Sequence, residues 1–376
     1  MKVSLKTLGQ IVTGNTPSKS NPEYWHSDDI SFVKPDILPD NKVADVWKTK
    51  ECISEAARSK SRIVGENAIF VTCIGSIGKI GIATKGEFAF NQQINAIIPN
   101  SKVFPKYLAY VLLNAKPRLT VMANAPVVPI INKSQFGDFQ IDISENYEEQ
   151  KRISAILDSI ESIITQQNQA LYLLDKLVKS RFVEMFGEPL KNAKGWIEAP
   201  LIEVAPIRQL HGLLQDEVWL LNLDAIESQT GVILFKQRVP VSEINASTVY
   251  FTVDSVLYSK LRPYLNKVVM PDENGIATSE LLPMYPIPNK LNRTYLCHWL
   301  RSDAFVKHIS EKVAGAKMPR VAMDYFRSLS IELPPLELQN RFAAFVTEVD
   351  KSKLAVQQSL EKLETLKKSL MQQYFG

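Results

Sequence analysis

Cysteine and long apolar runs are scarce in this chain. Its three cysteines, Cys52, Cys73 and Cys297, are scattered through 376 residues. Their odd number and wide separation are typical of a reducing compartment and match no metal-ligand spacing. No apolar run approaches the ~18 residues of a membrane span, and the N-terminal stretch lacks the apolar core of a signal peptide. We therefore expect a cytoplasmic chain of two or three domains with no membrane role.

Motifs for catalysis are missing as well. The four histidines form no H-x-H or H-E-x-x-H pattern, and no G-x-S-x-G elbow is present. The stretch "GSIGKIG" (75–81) lacks the glycine spacing of a phosphate-binding P-loop, so a tight turn that displays Lys79 fits it better. The trio Glu149-Gln150-Lys151 suits a helix start better than a nuclease metal site. We expect no catalytic residue, metal or cofactor in this chain.

Two long segments, residues 138–186 and 336–375, contain neither glycine nor proline. This permits uninterrupted helices, which would span roughly 60 Å for 40 residues. Asn146 and Glu149 form a candidate capping box at the start of the first helix. Apolar residues step by four and three, as in a coiled-coil seam, although two ordinary amphipathic core helices would show a similar pattern. The predicted helix-pairing or partner-binding residues are Ile153, Leu157, Ile160, Ile164, Leu171 and Leu174, with Phe342, Val346, Val349, Val356, Leu360 and Leu363.

The chain repeats itself. Sliding residues 147–187 onto 336–376 without a gap gives 12 identities in 41 positions, and both segments end on Phe-Gly. Upstream, "YLAYVL" (107–112) matches "YLCHWL" (295–300) at nearly the same offset. Repeats of this kind predict two copies of one structural unit.

The expected fold is therefore α+β with a pseudo-twofold internal repeat. We predict a first globular domain over residues 1–145 and a first long helix over 146–190. A second globular domain follows over 191–335, with a second long helix over 336–376. The two helices are expected to pack antiparallel and to separate the mixed α/β domains. Short strands such as "INAIIP" (94–99) and short helices such as "PKYLAYVLLN" (105–114) are expected within the domains.

Charge and loop composition permit a polyanionic partner. The net charge is +4, and residues 1–145 carry 17 basic and 13 acidic side chains. Four polar loops are rich in Lys, Arg, Asn, Gln and Ser: residues 13–25, 85–95, 259–267 and 315–320. Arg, Asn and Gln can make paired hydrogen bonds to base edges, and Ser, Thr and Lys suit phosphates. A solvated surface with a small charge excess is the plain alternative.

These motifs, in this order, resemble the specificity (S) subunit of type I restriction-modification systems over essentially the whole chain. The resemblance depends on "TGNTPSKSNPEYW" with "ISFVKPDIL", "GSIGKIGI" with "FNQQINAIIP", and "SKLRPYLNKV" with "GAKMPRVAMDYF". The two helix segments "EEQKRISAILDSIE" and "LELQNRFAAFVTEVD" complete it. The second half lacks the "YW" opening and has "GWIEAPLIEVA" instead.

The resemblance implies two target recognition domains that read the halves of a bipartite, asymmetric double-stranded DNA sequence. The paired helices would set the spacing and dock two modification (methyltransferase) subunits, which restriction (translocase and nuclease) subunits join. S-adenosylmethionine, ATP and magnesium are expected in those partners, and this subunit is expected to be non-catalytic. The predicted DNA-binding residues are Thr16, Ser18, Lys19, Lys34, Lys79, Asn91, Gln92, Gln93, Lys260, Arg262, Tyr264, Asn266, Lys267, Lys317 and Arg320.

Three alternatives remain open from the sequence. The chain could be the recognition subunit of a related multi-subunit restriction system, or a helical scaffold or adaptor without a DNA role. A stand-alone nuclease is the third, and it would require metal-dependent cleavage by the chain alone.

Overall fold

The chain divides into two units, and each of the two longest helices contributes residues to both units. The structure is a computed structural model that describes residues 1–123, 128–208, 210, 212, 216–244, 247–313 and 318–376. Residues 1–168 and 358–376 form unit 1, and residues 169–357 form unit 2. The dividing points, after Asn168 and after Gln357, are equivalent positions of the repeat. The predicted boundaries at 145, 190 and 335 lie near the ends of the long helices. The units instead divide each long helix in its middle, because one half of the helix packs on the core of unit 1 and the other half packs on the core of unit 2.

Unit 1 contains a first series of short strands and helices. In chain order they are β1 (Lys2–Ser4), α1 (Leu5–Leu8), β2 (Gly9–Thr13), β3 (Ile30–Val33), β4 (Val43–Val46), β5 (Cys52–Ile53), β6 (Ile63–Val64), β7 (Ile69–Thr72), β8 (Ile80–Ala83), β9 (Phe88–Phe90), β10 (Ile94–Pro99), α2 (Pro105–Asn114), α3 (Lys116–Met122), α4 (Lys133–Asp138) and β11 (Gln140–Asp142). Short 3₁₀ turns lie at Pro22–Tyr24, Pro35–Ile37 and Glu55–Lys60. The long helix α5 (Tyr147–Phe186) begins in this unit.

The strands of unit 1 form three sheets. A five-stranded sheet has the order β2-β10-β7-β8-β4, a four-stranded sheet has the order β5-β3-β9-β6, and β1 pairs with β11. Strand β10 pairs antiparallel with both β2 and β7, while β3 runs parallel to β9 and β4 runs parallel to β8. All four residues of β7 are buried, as expected for a strand covered on both faces.

Unit 2 contains the second series. In chain order its elements are β12 (Ile197–Pro200), α6 (Leu201–Val204), β13 (Glu217–Leu221), β14 (Gln237–Pro240), β15 (Thr248–Phe251), β16 (Val256–Ser259), β17 (Val268–Val269), β18 (Gly275–Thr278), β19 (Leu281–Met284), α7 (Arg293–Arg301), α8 (Asp303–Ser310), α9 (Met323–Arg327), β20 (Ser330–Leu333) and the start of α10 (Leu336–Phe375). Its 3₁₀ turns are Leu223–Ala225, Val241–Glu243 and Pro263–Leu265. The sheets have the orders β14-β13-β18-β15, β17-β16-β19 and β12-β20.

The bounds of the two long helices agree with the prediction within a few residues. Helix α5 ends at Phe186 because Gly187 adopts a positive φ of 86°, which a residue with a side chain rarely takes. The indole Nε1 of Trp196 donates to the carbonyl of Phe186 and satisfies a free acceptor at this end. At the start, the Oδ1 of Asn146 accepts from the backbone N–H groups of Glu148 and Glu149. The capping box is indirect, because the side chain of Glu149 accepts from Ser144 rather than from the backbone of Asn146.

Within each unit, segments of the two long helices lie side by side. In unit 2 the Nζ of Lys353 on α10 lies 2.7 Å from Asp175 on α5, and Phe342 on α10 contacts Phe182 on α5. Because the partner number falls as the α5 number rises, the helices run antiparallel there. In unit 1, Lys367 on α10 forms an ion pair with Glu161 on α5.

The predicted seam residues fall into two groups. The first group is buried: Ile153, Leu157, Ile160, Ile164, Phe342, Val346 and Val349. The second group is half-buried: Leu171, Leu174, Val356, Leu360 and Leu363. Ile153 and Leu157 belong to the core of unit 1, whereas Phe342, Val346 and Val349 belong to the core of unit 2. Much of the buried seam therefore also attaches the helices to the globular parts.

A buried glutamine fixes the start of each long helix to its unit. The Oε1 of Gln150 accepts from the N–H of Phe104, and its Nε2 donates to the carbonyl of Ser144. The Oε1 of Gln339 accepts from the N–H of Asn292, and its Nε2 donates to the carbonyl of Pro334. Both side chains are fully buried, so these bonds satisfy backbone groups that water cannot reach. The identity Gln150/Gln339 in the repeat therefore has a structural reason.

An aromatic cluster joins α5, α7 and α10 in unit 2. Phe182 and Phe186 of α5 contact Phe342 of α10 at 5.3 and 5.5 Å between ring centroids. Tyr295 of α7 stacks on Phe182 at 5.4 Å, and His298 meets the Phe342 ring edge-on at 5.2 Å. Aromatic pairs with this geometry are stabilised beyond their area of burial. The cluster attaches both long helices to the short helix α7.

His298 makes the stability of unit 2 sensitive to acid. Burial lowers the pKa of His298 to about 3, and the charges of Arg301 and Lys353 act in the same direction. Since the unfolded-state pKa is ~6.5, the unfolded chain binds the proton first as the pH falls. The stabilisation is therefore complete above about pH 6.5 and is lost as the pH falls toward 3.

We expect the wild-type chain to lose about 1 kcal/mol of unfolding free energy relative to His298→Phe between pH 7.5 and pH 5.5. Phe keeps an aromatic contact with Phe342 and removes the titration. Urea unfolding followed by tryptophan fluorescence at the two pH values measures the difference. Equal pH dependence in the two proteins would contradict the assignment.

Candidate nucleic-acid interface

A tight turn in unit 1 is held by backbone hydrogen bonds from two other segments. It follows β7 and precedes β8, and Gly75 and Gly78 adopt positive φ values of 76° and 75°. The N–H of Gly75 donates to the carbonyl of Pro129 at 3.0 Å, and the N–H of Ile131 donates to the carbonyl of Cys73 at 2.8 Å. The N–H of Cys73 donates to the carbonyl of Gln93 at 2.7 Å. The turn is therefore braced on both sides.

Unit 2 contains the equivalent turn, between β16 and β17. The N–H of Arg262 donates to the carbonyl of Pro319 at 2.8 Å, and the N–H of Val321 donates to the carbonyl of Lys260 at 3.0 Å. The N–H of Lys260 donates to the carbonyl of Glu280 at 3.0 Å. These three bonds match the three in unit 1, one for one.

We call each assembly a turn platform. The unit 1 platform consists of residues 73–79, 92–93 and 128–131, and the unit 2 platform consists of residues 260–267, 279–280 and 318–321. The two turns cannot be paired from sequence, because "CIGSIGK" and "KLRPYLNK" share almost no residues. The two turns are equivalent in their backbone hydrogen bonds, and a comparison of residue types does not detect such bonds.

Four predicted residues come together at the unit 1 platform. The Oγ1 of Thr16 donates to the Oε1 of Gln92 at 2.8 Å. The Nδ2 of Asn91 donates to the Oε1 of Gln93 at 2.9 Å, and the N–H of Gln93 donates back to Asn91 Oδ1. Gln92 is exposed, whereas Asn91 is buried. Gln92 can therefore reach a ligand, and Asn91 holds the shape of the loop.

The predicted lysines of unit 1 differ in how available they are. Lys79 has only 18% of its side chain exposed and lies 3.6 Å from Asp40, so the prediction that the turn displays it freely is wrong. Lys34 forms an ion pair with Glu51. Lys19 is exposed beside Ser18 and lines a cavity of about 400 Å³ with Trp25, His26 and Lys50.

At the unit 2 platform, Arg262 and Tyr264 are exposed on the turn. Arg320 is exposed and donates from Nε and Nη2 to the carboxylate of Glu280. Lys260 is half-buried. Lys317 lies outside the described residues.

Two further predicted residues of this turn are used inside the protein. Asn266 is 4% exposed, and its Nδ2 donates to the carbonyl of Arg301 at 3.0 Å. Its left-handed φ of 50° explains the asparagine at this position. The Nζ of Lys267 donates to the carbonyl of Leu223, and burial lowers the pKa of Lys267. These placements argue against direct DNA contact by either side chain and assign both to the shape of the turn.

Sequence reasoning missed two residues that shape the unit 2 platform. Glu280 is the acceptor for Arg320, and no sequence motif marks it. Gln229 lies on a separate hairpin, where its N–H donates to the carbonyl of Leu265 and its Nε2 donates to the carbonyl of Tyr264. Gly231 on this hairpin approaches so closely that a Cβ would lie 2.1 Å from the carbonyl oxygen of Val268. Only the folded chain brings these segments together.

The described residues offer neither a metal site nor a membrane-spanning helix. In the part of the chain that the structure describes, no group of three or more His, Cys, Asp and Glu side chains could hold a metal ion. None of its described helices has the length and apolar character needed to cross a bilayer.

Two mixed α/β units, each with a braced polar turn platform and a share of two long helices, define a protein built from one structural unit repeated twice. A family model described as "Type I restriction modification DNA specificity domain" matches residues 1–172 and 225–366. The chain belongs to this family, and it is a type I restriction-modification specificity subunit in family terms. The predicted resemblance is thereby confirmed.

Individual relatives agree with the family. The specificity subunit of the type I restriction enzyme MjaIX from Methanocaldococcus jannaschii is 22% identical over 400 residues, covering 98% of this chain and 90% of the relative. The EcoDI specificity subunit from Escherichia coli is 20% identical over 393 residues, covering 88% of each chain.

Solved structures confirm the fold class. The S subunit of a type I restriction-modification system from M. genitalium matches with a TM-score of 0.63 at 15% identity, over 100% of this chain and 96% of that chain. A chain solved in work on complex assembly and conformational transition of the type I R-M system matches with a TM-score of 0.60, also at 15% identity, over 100% and 97% of the two chains. The predicted fold class, mixed α/β with two globular domains, long helices and an internal repeat, is therefore confirmed.

Proposed function

We propose that this chain reads a bipartite, asymmetric DNA sequence for a type I restriction-modification complex and does not itself catalyse a reaction. The observation that carries the proposal is the turn platform, built twice from the same backbone bonds with different side chains. Two copies of one platform would give two DNA-binding surfaces with the same backbone structure. Different side chains on it, Gln92 in unit 1 against Arg262 and Arg320 in unit 2, give two different half-sites.

The chemistry of the exposed side chains supports base reading. Arg can donate two bonds to the O6 and N7 of guanine, and Gln can pair with N6 and N7 of adenine. Ser18 and Lys19 suit phosphate contacts, which give affinity without sequence preference. Because Lys34 and Lys79 face carboxylates, we expect partner subunits to supply part of the positive surface.

The long helices are proposed to dock two modification subunits, which restriction subunits then join. Exposed apolar side chains on these helices support a protein partner, since exposed apolar surface is typical of sites where another protein binds. Tyr172, Leu173 and Leu177 on α5 and Leu354 on α10 are all exposed. S-adenosylmethionine, ATP and magnesium would belong to the partner subunits, and the complex would act in the cytoplasm.

Adenine-methylation mapping by long-read sequencing tests the proposal. Cells that make this chain with its neighbouring methyltransferase are compared with cells that lack only this chain. We expect a two-part motif with an unspecified gap, and we expect it to disappear without the chain. Methyltransferase activity with no motif that depends on this chain would overturn the proposal and favour a scaffold role.

A further inference from the structure

The ion pair between Glu280 and Arg320 lies on the unit 2 platform and is held by the platform backbone. Arg320 sits on a β-bridge with Leu261, and the carbonyl of Glu280 accepts from Lys260. The guanidinium Nε lies 3.1 Å from Glu280 Oε1, and Nη2 lies 3.0 Å from the same oxygen. Both ends of the pair are therefore fixed to one turn.

This geometry uses one edge of the guanidinium and leaves the other edge open. Glu280 engages Nε and Nη2, and no residue in the described ranges accepts from Nη1. Arg320 is 48% exposed at its side chain, whereas Glu280 is only 20% exposed. The guanidinium is thus more exposed than the carboxylate that holds it, and its Nη1 is left without an acceptor among the described residues. A guanidinium held in this way is oriented in advance for a planar, two-bond contact.

Stability does not explain the pair. Water screens the charges of an exposed ion pair, so a surface bond of this kind adds little to folding. A carboxylate near DNA also repels phosphates and lowers sequence-independent affinity. Its presence on the platform is better explained by orientation of the arginine and by rejection of wrong bases.

Resting on the function proposed above, we infer that Glu280 and Arg320 form a specificity-determining pair that reads a G·C base pair in the half-site of unit 2. Arg320 contacts the guanine edge, and Glu280 is the positioning residue that fixes the guanidinium. The equivalent positions of the unit 1 platform are Gln93 and Ile130, which are neutral and cannot form such a pair. The base read there in the other half-site therefore differs.

The test replaces Glu280 by glutamine in the complete complex and maps adenine methylation. A matched control is Glu273→Gln, because Glu273 also accepts from an arginine, Arg238, at 2.8 Å, on a different sheet of the same unit. We expect E280Q to lower discrimination at one G·C position of one half-site by at least tenfold. The other half-site, the gap and the melting temperature should stay unchanged, and E273Q should leave the motif intact. Gln92→Ala, in unit 1, should alter the opposite half-site.

The outcomes separate the two proposals. An unchanged motif in E280Q, with a normal two-part motif in the wild type, would overturn the inference alone. Relaxation at an A·T position would overturn the reading by Arg320. Weaker methylation at both half-sites with a lower melting temperature would show that the pair is merely structural. Absence of any two-part motif with the wild-type chain would instead overturn the proposed function.

Discussion

Insertion of seven residues into both long helices is expected to lengthen the unspecified gap of the DNA target by about three base pairs. The insertions belong after Asn168 in α5 and after Gln357 in α10, where the two units divide. Seven helical residues add ~10 Å at 1.5 Å per residue, and base pairs are ~3.4 Å apart. A heptad also keeps the apolar seam nearly in register, because seven residues make almost two turns. Both half-sites should stay the same, since neither turn platform is changed.

Methylation mapping of the complex with the lengthened chain measures the gap directly. A same-length control replaces the exposed Gln166 and Gln169 of α5 by Glu and Lys, and it should leave the gap unchanged. An unaltered gap after the insertions, in a complex that still methylates, would show that these helices do not set the spacing.

Replacement of Phe342 by alanine is expected to lower the unfolding free energy of unit 2 by about 3–5 kcal/mol. Phe342 is fully buried and contacts Phe182, Phe186 and His298, which belong to α5 and α7. The truncation leaves a cavity where three helices meet, and the surrounding rings cannot fill it without losing their own contacts. The loss should therefore loosen the attachment of both helices to α7.

Hydrogen exchange followed by peptide mass spectrometry measures this loss within each unit. Faster exchange is expected in α7 and in the adjoining parts of α5 and α10, with little change in β7 and β10 of unit 1. Leu354→Ala is the matched control, because Leu354 lies on α10 in the same unit but is exposed. A similar effect of both variants would indicate that the aromatic cluster does not anchor the helices.

Local sequence features were enough to predict the two long helices and some of the shorter elements of unit 1. The absence of glycine and proline in 138–186 and 336–375 predicted two long helices over 146–190 and 336–376, and the observed helices lie within these bounds and end at Phe186 and Phe375. The apolar run "INAIIP" predicted β10, and "PKYLAYVLLN" predicted α2 within its observed bounds. These predictions succeed because propensity, capping and apolar periodicity act between neighbours in the chain.

The candidate site was predicted only in part. The polar loops were identified from composition, and Gln92, Arg262, Tyr264 and Arg320 are exposed in them. Composition could not show that Asn266 and Lys267 point inward, because their partners, Arg301 and Leu223, lie 35 and 44 residues away. It could not nominate Glu280 either, since a lone glutamate has no pattern. Whether each exposed residue touches DNA stays a prediction.

The sequence by itself determined the long helices, the repeat and the family. The helices follow from local composition, the repeat from an ungapped match of the chain to itself, and the family from the motifs and their order. Only the tertiary structure shows that the turns at 73–79 and 260–267 belong to two equivalent turn platforms. Their likeness consists of backbone hydrogen bonds to distant segments, and backbone groups are the same in every residue. The tertiary structure also decides which lysines can contact a ligand, since a carboxylate that folding places beside a lysine neutralises its charge.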